Sequence, residues 1–209
     1  MNEIMKKFMA AFLAIICLAS NAYASGPFIG ADLLYATARH EAKGNVGAGA
    51  PQNGAVARDN DLSYGLNAGY RLNLLGVMLG AEAFYDNLNT SSRNFELLGS
   101  SSGGGDNIEL ENRYGGKINL GLTILPIVTP FISYGLSYNR YSSNVPSQGD
   151  SLSKSKLVPL YGIGFLFDLP AGVSIKASYD YQPFNMRYAG GGRIRTHLGV
   201  ARLGLVYNF

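Results

Sequence analysis

Apolar and polar side chains alternate along much of the chain with a period of two. The clearest case sets Val173, Ile175, Ala177, Tyr179 and Tyr181 on one face and Ser174, Lys176, Ser178, Asp180 and Gln182 on the other. Leu62, Tyr64, Leu66, Ala68 and Tyr70 likewise oppose Ser63, Gly65, Asn67, Gly69 and Arg71. Tyr114, Gly116, Ile118, Leu120, Leu122 and Ile124 oppose Arg113, Gly115, Lys117, Asn119, Gly121 and Thr123. Ile132, Tyr134, Leu136 and Tyr138 oppose Ser133, Gly135, Ser137 and Asn139, and Leu203, Leu205, Tyr207 and Phe209 oppose Arg202, Gly204, Val206 and Asn208. Each run predicts a strand with one apolar face. Three further strands, at about 28–38, 77–88 and 157–167, fill the intervals.

The connections between these strands alternate in length. Long segments fall at 39–61, 89–111, 141–156 and 183–195, and short ones at 72–76, 126–130 and 168–172; Gly103–Gly105 and Gly190–Gly192 mark loop tips. Long and short connections in turn are the loop asymmetry of an all-β, antiparallel, up-and-down transmembrane barrel of about eight strands, with termini and short turns on the periplasmic side.

The first segment agrees with export. Lys6 and Lys7 precede an apolar run at 8–18 that ends in Ala22-Tyr23-Ala24, a small-x-small cleavage pattern, so 1–24 reads as a signal peptide and 25–209 as the barrel domain. About 11 apolar residues are too few for a spanning helix, which needs about 20. Cys17, the one cysteine, lies within that leader, and bulky Ile15 and Ile16 before it argue against lipidation. The exported chain would therefore have no disulfide and no thiolate metal site. Losing Glu3, Lys6 and Lys7 would take the formal charge from +3 to +2, too mild a balance to imply nucleic acid. Beyond the leader there is no apolar stretch long enough for a membrane helix. High Gly (27) and Tyr (14) with no Trp fit a turn-rich β composition.

Alternation leaves open which face points outward. A soluble barrel needs a charged exterior, yet only 15% of the chain is charged, and many of those charges fall in the long segments. The polar face mixes Gly with single long charges, as a narrow interior requires, and the apolar face carries Tyr and Phe near strand ends, as girdles at lipid boundaries do. Leu205 is thus expected to face lipid and Val206 the lumen.

The segment Arg202-Leu203-Gly204-Leu205-Val206-Tyr207-Asn208-Phe209 resembles the assembly signal of outer-membrane barrels, polar-x-Gly-x-x-aromatic-x-aromatic. The resemblance implies that Arg202, Gly204, Tyr207 and Phe209 are read by the barrel-assembly machinery. Thr129-Pro130-Phe131-Ile132-Ser133-Tyr134-Gly135 and Ala177-Ser178-Tyr179-Asp180-Tyr181 are similar to stretches of the small OmpA-like and Opa-like barrels. The chain stops at Phe209 without the peptidoglycan-binding domain of full-length OmpA-type proteins, so no cell-wall tether is expected.

Candidate chemistry sits in three places. The inward face gathers Asp32, Glu82, Asp86 and Asp180 with Arg71, Arg113, Lys117, Lys176 and Arg202. This set is either a gated ion path or a salt-bridge plug, and a lumen of eight strands favours the plug, in which Lys117, Lys176 and Arg202 meet Asp32, Glu82 or Asp180. His40 and His197 fall near the outer rim without a matching nucleophile, so no catalytic role, metal or cofactor is expected. Arg187, Arg193 and Arg195 surround the fourth loop tip as a candidate ligand loop for lipopolysaccharide phosphates, or else for a host glycan or partner protein. The sequence thus reads as a surface barrel in contact with outer-membrane lipid, acting structurally or through its loops as an adhesin or surface antigen. A narrow porin-like channel is the second reading and a lipid-A-modifying enzyme the third.

Overall fold

The computed structural model describes residues 25–43, 56–91, 107–123, 127–145, 150–187 and 193–209. The leader expected at 1–24 lies outside the described residues, as do the tips of the four long connections. Eight strands follow in chain order: β1 (Gly26–Lys43), β2 (Val56–Leu74), β3 (Val77–Ser91), β4 (Asn107–Leu122), β5 (Val128–Val145), β6 (Asp150–Asp168), β7 (Val173–Arg187) and β8 (Arg193–Asn208). Each pairs antiparallel with the next, and β1 with β8, so the sheet closes into a barrel.

The strands run well past their expected ends. Arg39–Lys43 belongs to β1, Val56–Asp61 to β2, and the segment at 141–156 is mostly paired strand, since β5 and β6 stay in register out to Val145 and Asp150. The physical reason is that the sequence of these outer segments is mostly polar at odd and even positions alike, as in Asp150-Ser151-Leu152-Ser153-Lys154-Ser155. Hydropathy alternation fades there, while the backbone ladder still satisfies each N–H and C=O. Arg187 and Arg193 are likewise not loop residues: they close β7 and open β8 as register partners, with Arg195 two residues further along β8.

The short connections are also tighter than expected. β2 continues to Leu74, leaving a two-residue hairpin of Leu75 (φ 50°) and Gly76 (φ 85°), the left-handed pair that lets such a turn follow the twist of its strands. Asp168 remains in β6, and Pro170–Gly172 makes a single 3₁₀ turn.

Facing follows the alternation. Leu205 is 60% exposed on the outer surface and Val206 only 4% exposed in the lumen. Leu33, Leu66, Ile118, Ile132, Ile163 and Leu203 continue the outer apolar band, which lies between two sets of tyrosines and phenylalanines. Toward the end that carries the long connections Tyr114 packs against Tyr138 and Tyr134 against Tyr161, the rings tilted and their centroids 5.2 and 5.5 Å apart. Toward the termini Tyr207 meets Phe209 edge-on at 5.1 Å. No helix among the described residues is long and apolar enough to cross a membrane.

The lumen is layered. In its outer half Leu34, Ala36, Ala38, Leu88, Val158, Phe184, Leu198 and Val200 form one buried apolar cluster. Near the inner end Met78, Phe131 and Leu166 form a second. Charged side chains occupy the level between them.

Two substitutions test this account. Leu205→Arg should lower stability by about 2 to 4 kcal/mol, the cost of a cation at mid-bilayer, measured by urea unfolding in liposomes. Leu75→Asn should raise stability by about 0.5 to 1 kcal/mol in the same assay, because Asn tolerates the left-handed turn geometry that a leucine resists.

Candidate functional site

Among the described residues, the buried charged side chains are Arg71, Arg113, Lys117, Lys176 and Arg202 with Asp32, Glu82, Asp86, Asp168 and Asp180. They balance one for one, as burial in a low-dielectric interior requires. Strand register builds part of the balance locally, since Glu82 lies opposite Lys117 and Asp86 opposite Arg113 across the β3–β4 pair. The rest comes from strands that are not neighbours.

Arg202 stands at the centre. Its Nη1 and Nη2 donate to Oδ1 and Oδ2 of Asp86 at 2.8 and 2.6 Å, the two-pronged geometry that suits a guanidinium and a carboxylate. Its Nε donates to Asp180 at 2.7 Å, and Nη1 also reaches Asp32 at 3.2 Å. One β8 side chain therefore ties β1, β3 and β7 together. Arg113 joins Asp86 at 2.5 Å, and its Nη1 donates to Gln182 at 2.9 Å. Lys117 lies 3.5 Å from both Glu82 and Asp180, and Lys176 lies 2.9 Å from Glu82 and 3.5 Å from Asp32. Asn67 and Asn119 donate to Asp32 and Glu82 at 2.9 and 3.1 Å. The ring of Phe84 presents its face to three of the cations, with centroid distances of 5.0 Å to Arg202, 5.5 Å to Arg113 and 5.7 Å to Lys117.

Glycines make the room. Gly204 lies between Asp32 on β1 and Lys176 on β7, and a Cβ there would collide with Oδ1 of Asp32. Gly65 plays the same part between Asp32 and Asp86, where a Cβ would come within 2.6 Å of Asp86 Oδ1. Below the charge layer is a cavity of about 30 Å³, lined by Phe28, Met78, Phe131, Leu166, Lys176 and Asn208 among others, room for about one or two waters. At the inner mouth a smaller polar group closes the barrel: Arg71 meets Asp168 at 3.0 Å and Asn208 at 2.9 Å, and Ser174 donates to Asp168 at 2.6 Å.

The structure brings Asp32, Glu82, Lys117, Lys176, Asp180 and Arg202 into this one network. Sequence reasoning placed Arg113 and Asp86 on the inward face but left them outside the core set. Their direct opposition across β3 and β4 was the available signal. Asp168 was assigned to a turn, and its pairing with Arg71 could not be seen because the two meet across a 97-residue separation.

The other candidate residues lie elsewhere. His197 sits on the outward face, where Tyr181 stacks on it at 5.9 Å and their OH and Nδ1 are 2.6 Å apart. His40 is in β1 opposite Thr196, with its side chain outside the described residues. Within the stretch that resembles an assembly signal, Arg202 and Gly204 already serve the lumen, while Tyr207 and Phe209 project outward, 48% and 72% exposed. The main chain of Phe209 donates to the Pro27 carbonyl at 3.0 Å and helps close the barrel.

Residues 10–209 match the family described as the outer membrane protein beta-barrel domain. The chain belongs to that family. Two solved structures of outer-membrane barrels share the fold. Ail, the attachment invasion locus protein of Yersinia pestis, solved with the heparin analogue sucrose octasulfate, is 18% identical, with 88% of this chain and 99% of that chain covered and a TM-score of 0.53. Neisserial surface protein A is 16% identical, with 88% and 98% covered and a TM-score of 0.53. No curated protein sequence matches the chain.

Stability in liposomes should follow the charge geometry of this family member. Glu82→Gln or Lys117→Met alone strands a buried partner and should cost about 3 to 5 kcal/mol, with the double substitution recovering part of the loss. Arg202→Met, which takes one cation from three carboxylates at once and leaves the network a net negative charge, should cost more than either single change. Gly204→Ala should cost about 1 to 3 kcal/mol by crowding Asp32.

Proposed function

We propose that this outer-membrane barrel is a non-conducting platform that presents its outer hairpins for attachment, with anionic saccharides or lipopolysaccharide phosphates as ligands. The observation that carries the reading is the lumen, in which, among the described residues, four cations meet four anions at contact distance between two apolar layers and a fifth pair, Arg71 with Asp168, closes the inner mouth. A water-filled path needs charges that are solvated rather than paired, and eight strands leave little space beyond what side chains fill. Work done by such a barrel falls to its surface.

The paired strands that rise above the apolar band support the same reading. β5 and β6 stay in register to Val145 and Asp150, well beyond outward-facing Leu157, so the paired backbone itself continues past the apolar band. Arg39, Arg140 and Arg195 are exposed toward the outer end, and Arg187 and Arg193 hold the last β7 and first β8 positions beside the fourth connection, a set of basic positions suited to phosphate or sulfate. Ail, with the same fold, was crystallised with a polysulfated sugar. No catalytic step is part of this reading. We further propose that Tyr207 and Phe209 are what the assembly machinery reads, since they are the outward members of their stretch and Arg202 and Gly204 have lumen duties.

Planar-bilayer recordings of the pure protein should be silent, and stable, ion-selective steps altered by Lys117→Met would move the assignment to a narrow porin. Retention on immobilised heparin should fall several-fold in Arg187→Ser/Arg193→Ser/Arg195→Ser, and unchanged retention would remove the hairpin arginines from the ligand site. Deleting Phe209 should slow insertion in cells more than spontaneous folding into thin liposomes; equal slowing in both would speak against receptor reading.

A further inference from the structure

One seam of the barrel parts before the others. The β6–β7 register starts at Asp168 and Ser174 and ends at Tyr161 and Tyr181, although β5 goes on pairing β6 to Asp150 and β8 goes on pairing β7 to Arg187. Beyond Tyr161 and Tyr181 there is no further β6–β7 pair among the described residues. Counting the register on by two steps sets Pro159 opposite Pro183. Neither ring has an amide hydrogen to offer, whichever neighbour it faces, which is why proline keeps to the edges of sheets. The sequence itself thus ends the ladder. Across the parting, Lys156 Nζ donates to the main-chain carbonyl of Asn185 at 2.5 Å, so a long side chain spans what the backbones leave open.

The parting is at a telling height. From Val173 to Pro183 is about the 9 to 11 residues that a tilted strand needs to cross hydrocarbon, so the seam opens at the outer end of the apolar band. Behind it the lumen is apolar, with Val158 on β6 and Phe184 on β7 flanking the gap and packing with Leu34, Leu88, Leu198 and Val200. Beneath lies the charge network, a polar floor.

We propose that the β6–β7 seam is a lateral gate through which an apolar chain passes between the outer leaflet and the outer half of the lumen, with Lys156 as its latch. The chemistry called for is an alkyl chain, whether the acyl tail of a membrane lipid or a free alkane-like solute. An incoming β-strand is the other occupant that an open edge invites, but a proline on each facing edge removes donors from both. The gate does not rest on the attachment reading, because an apolar chain entering from the side stays above the charged floor.

The chain has no tryptophan, so a single introduced one reports alone. Phe184→Trp, Leu205→Trp facing lipid and Phe131→Trp in the inner lumen are each compared in liposomes of acyl-brominated phospholipid, where quenching requires contact. Phe184→Trp should be quenched at least about threefold more than Phe131→Trp, and Lys156→Met should increase the effect. Joining Leu157→Cys to Asn185→Cys with a short bis-maleimide, in a Cys17→Ser background, should return quenching to the Phe131→Trp level. A second arm uses plain lipid with added 1-bromododecane. Quenching by tethered tails identifies a lipid chain as entrant, quenching by the free bromoalkane alone identifies a diffusible solute, and either supports the gate. Leu198→Trp replaces Phe184→Trp if the latter fails the heat-modifiable mobility test for folding. Quenching no greater than for Phe131→Trp in both arms, or quenching unchanged by the cross-link, overturns the proposal.

Discussion

A closed sheet of eight strands leaves a lumen that side chains must fill, and any charge placed there is cut off from water unless another charge meets it. In this barrel the demand is met chiefly by Arg202, whose guanidinium reaches Asp32, Asp86 and Asp180 on three different strands. The rest of the interior is arranged to let it do so. Gly204 and Gly65 supply empty volume beside the carboxylates, and Phe84 supplies a ring face under the guanidinium. Arg113 and Lys117 take up the remaining lone pairs of Asp86, Asp180 and Glu82. Such a set fixes strand register as well as charge, because a slip of one residue would turn the carboxylates toward lipid.

The apolar layers give the network its dielectric setting. Leu198 and Val200 of β8, with Leu34 and Phe184, lie above it, while Met78, Phe131 and Leu166 lie below. An interior of this kind is unlike a polar channel with two apolar rims. Its outer half resembles the core of a soluble sandwich, and it lies behind the seam where β6 and β7 have no further pair among the described residues. The sidedness of the barrel comes from this layering: the inner mouth is closed by Arg71, Asp168, Ser174 and Asn208, whereas the outer half is closed by packing.

Much of the architecture was legible in the sequence, for a physical reason. A barrel with lipid outside and paired charges inside keeps a strict period of two, so β2, β4, β5, β7 and β8 declared their faces, and Leu205 and Val206 point as the alternation requires. The strands at 28–38, 77–88 and 157–167 were less regular because they carry the apolar lumen cluster: Leu33 faces out and Leu34 in, and Leu157 faces out and Val158 in. Both faces being apolar, periodicity had little to register. Strand ends were misplaced where both faces turn polar. The charge network was legible in its membership but not its wiring, since the Arg202 contacts join positions from 22 to 170 residues apart. The early end of the β6–β7 ladder was written in Pro159 and Pro183, but only the register of Tyr161 with Tyr181, counted on by two steps, sets them opposite one another.

The placement of Arg202 on the last strand bears on the order in which the sheet can be assembled. Among the described residues, a sheet of β1 to β7 presents five buried carboxylates and four buried cations on its inner face, one negative charge in excess. The β3–β4 hairpin is already matched through Glu82 with Lys117 and Asp86 with Arg113, whereas Asp32 near the leading edge and Asp180 near the trailing edge still lack their shared cation. Docking β8 against both edges supplies it. Circularisation and neutralisation are therefore one event, and the unclosed sheet holds an electrostatic reason to curl until its ends meet.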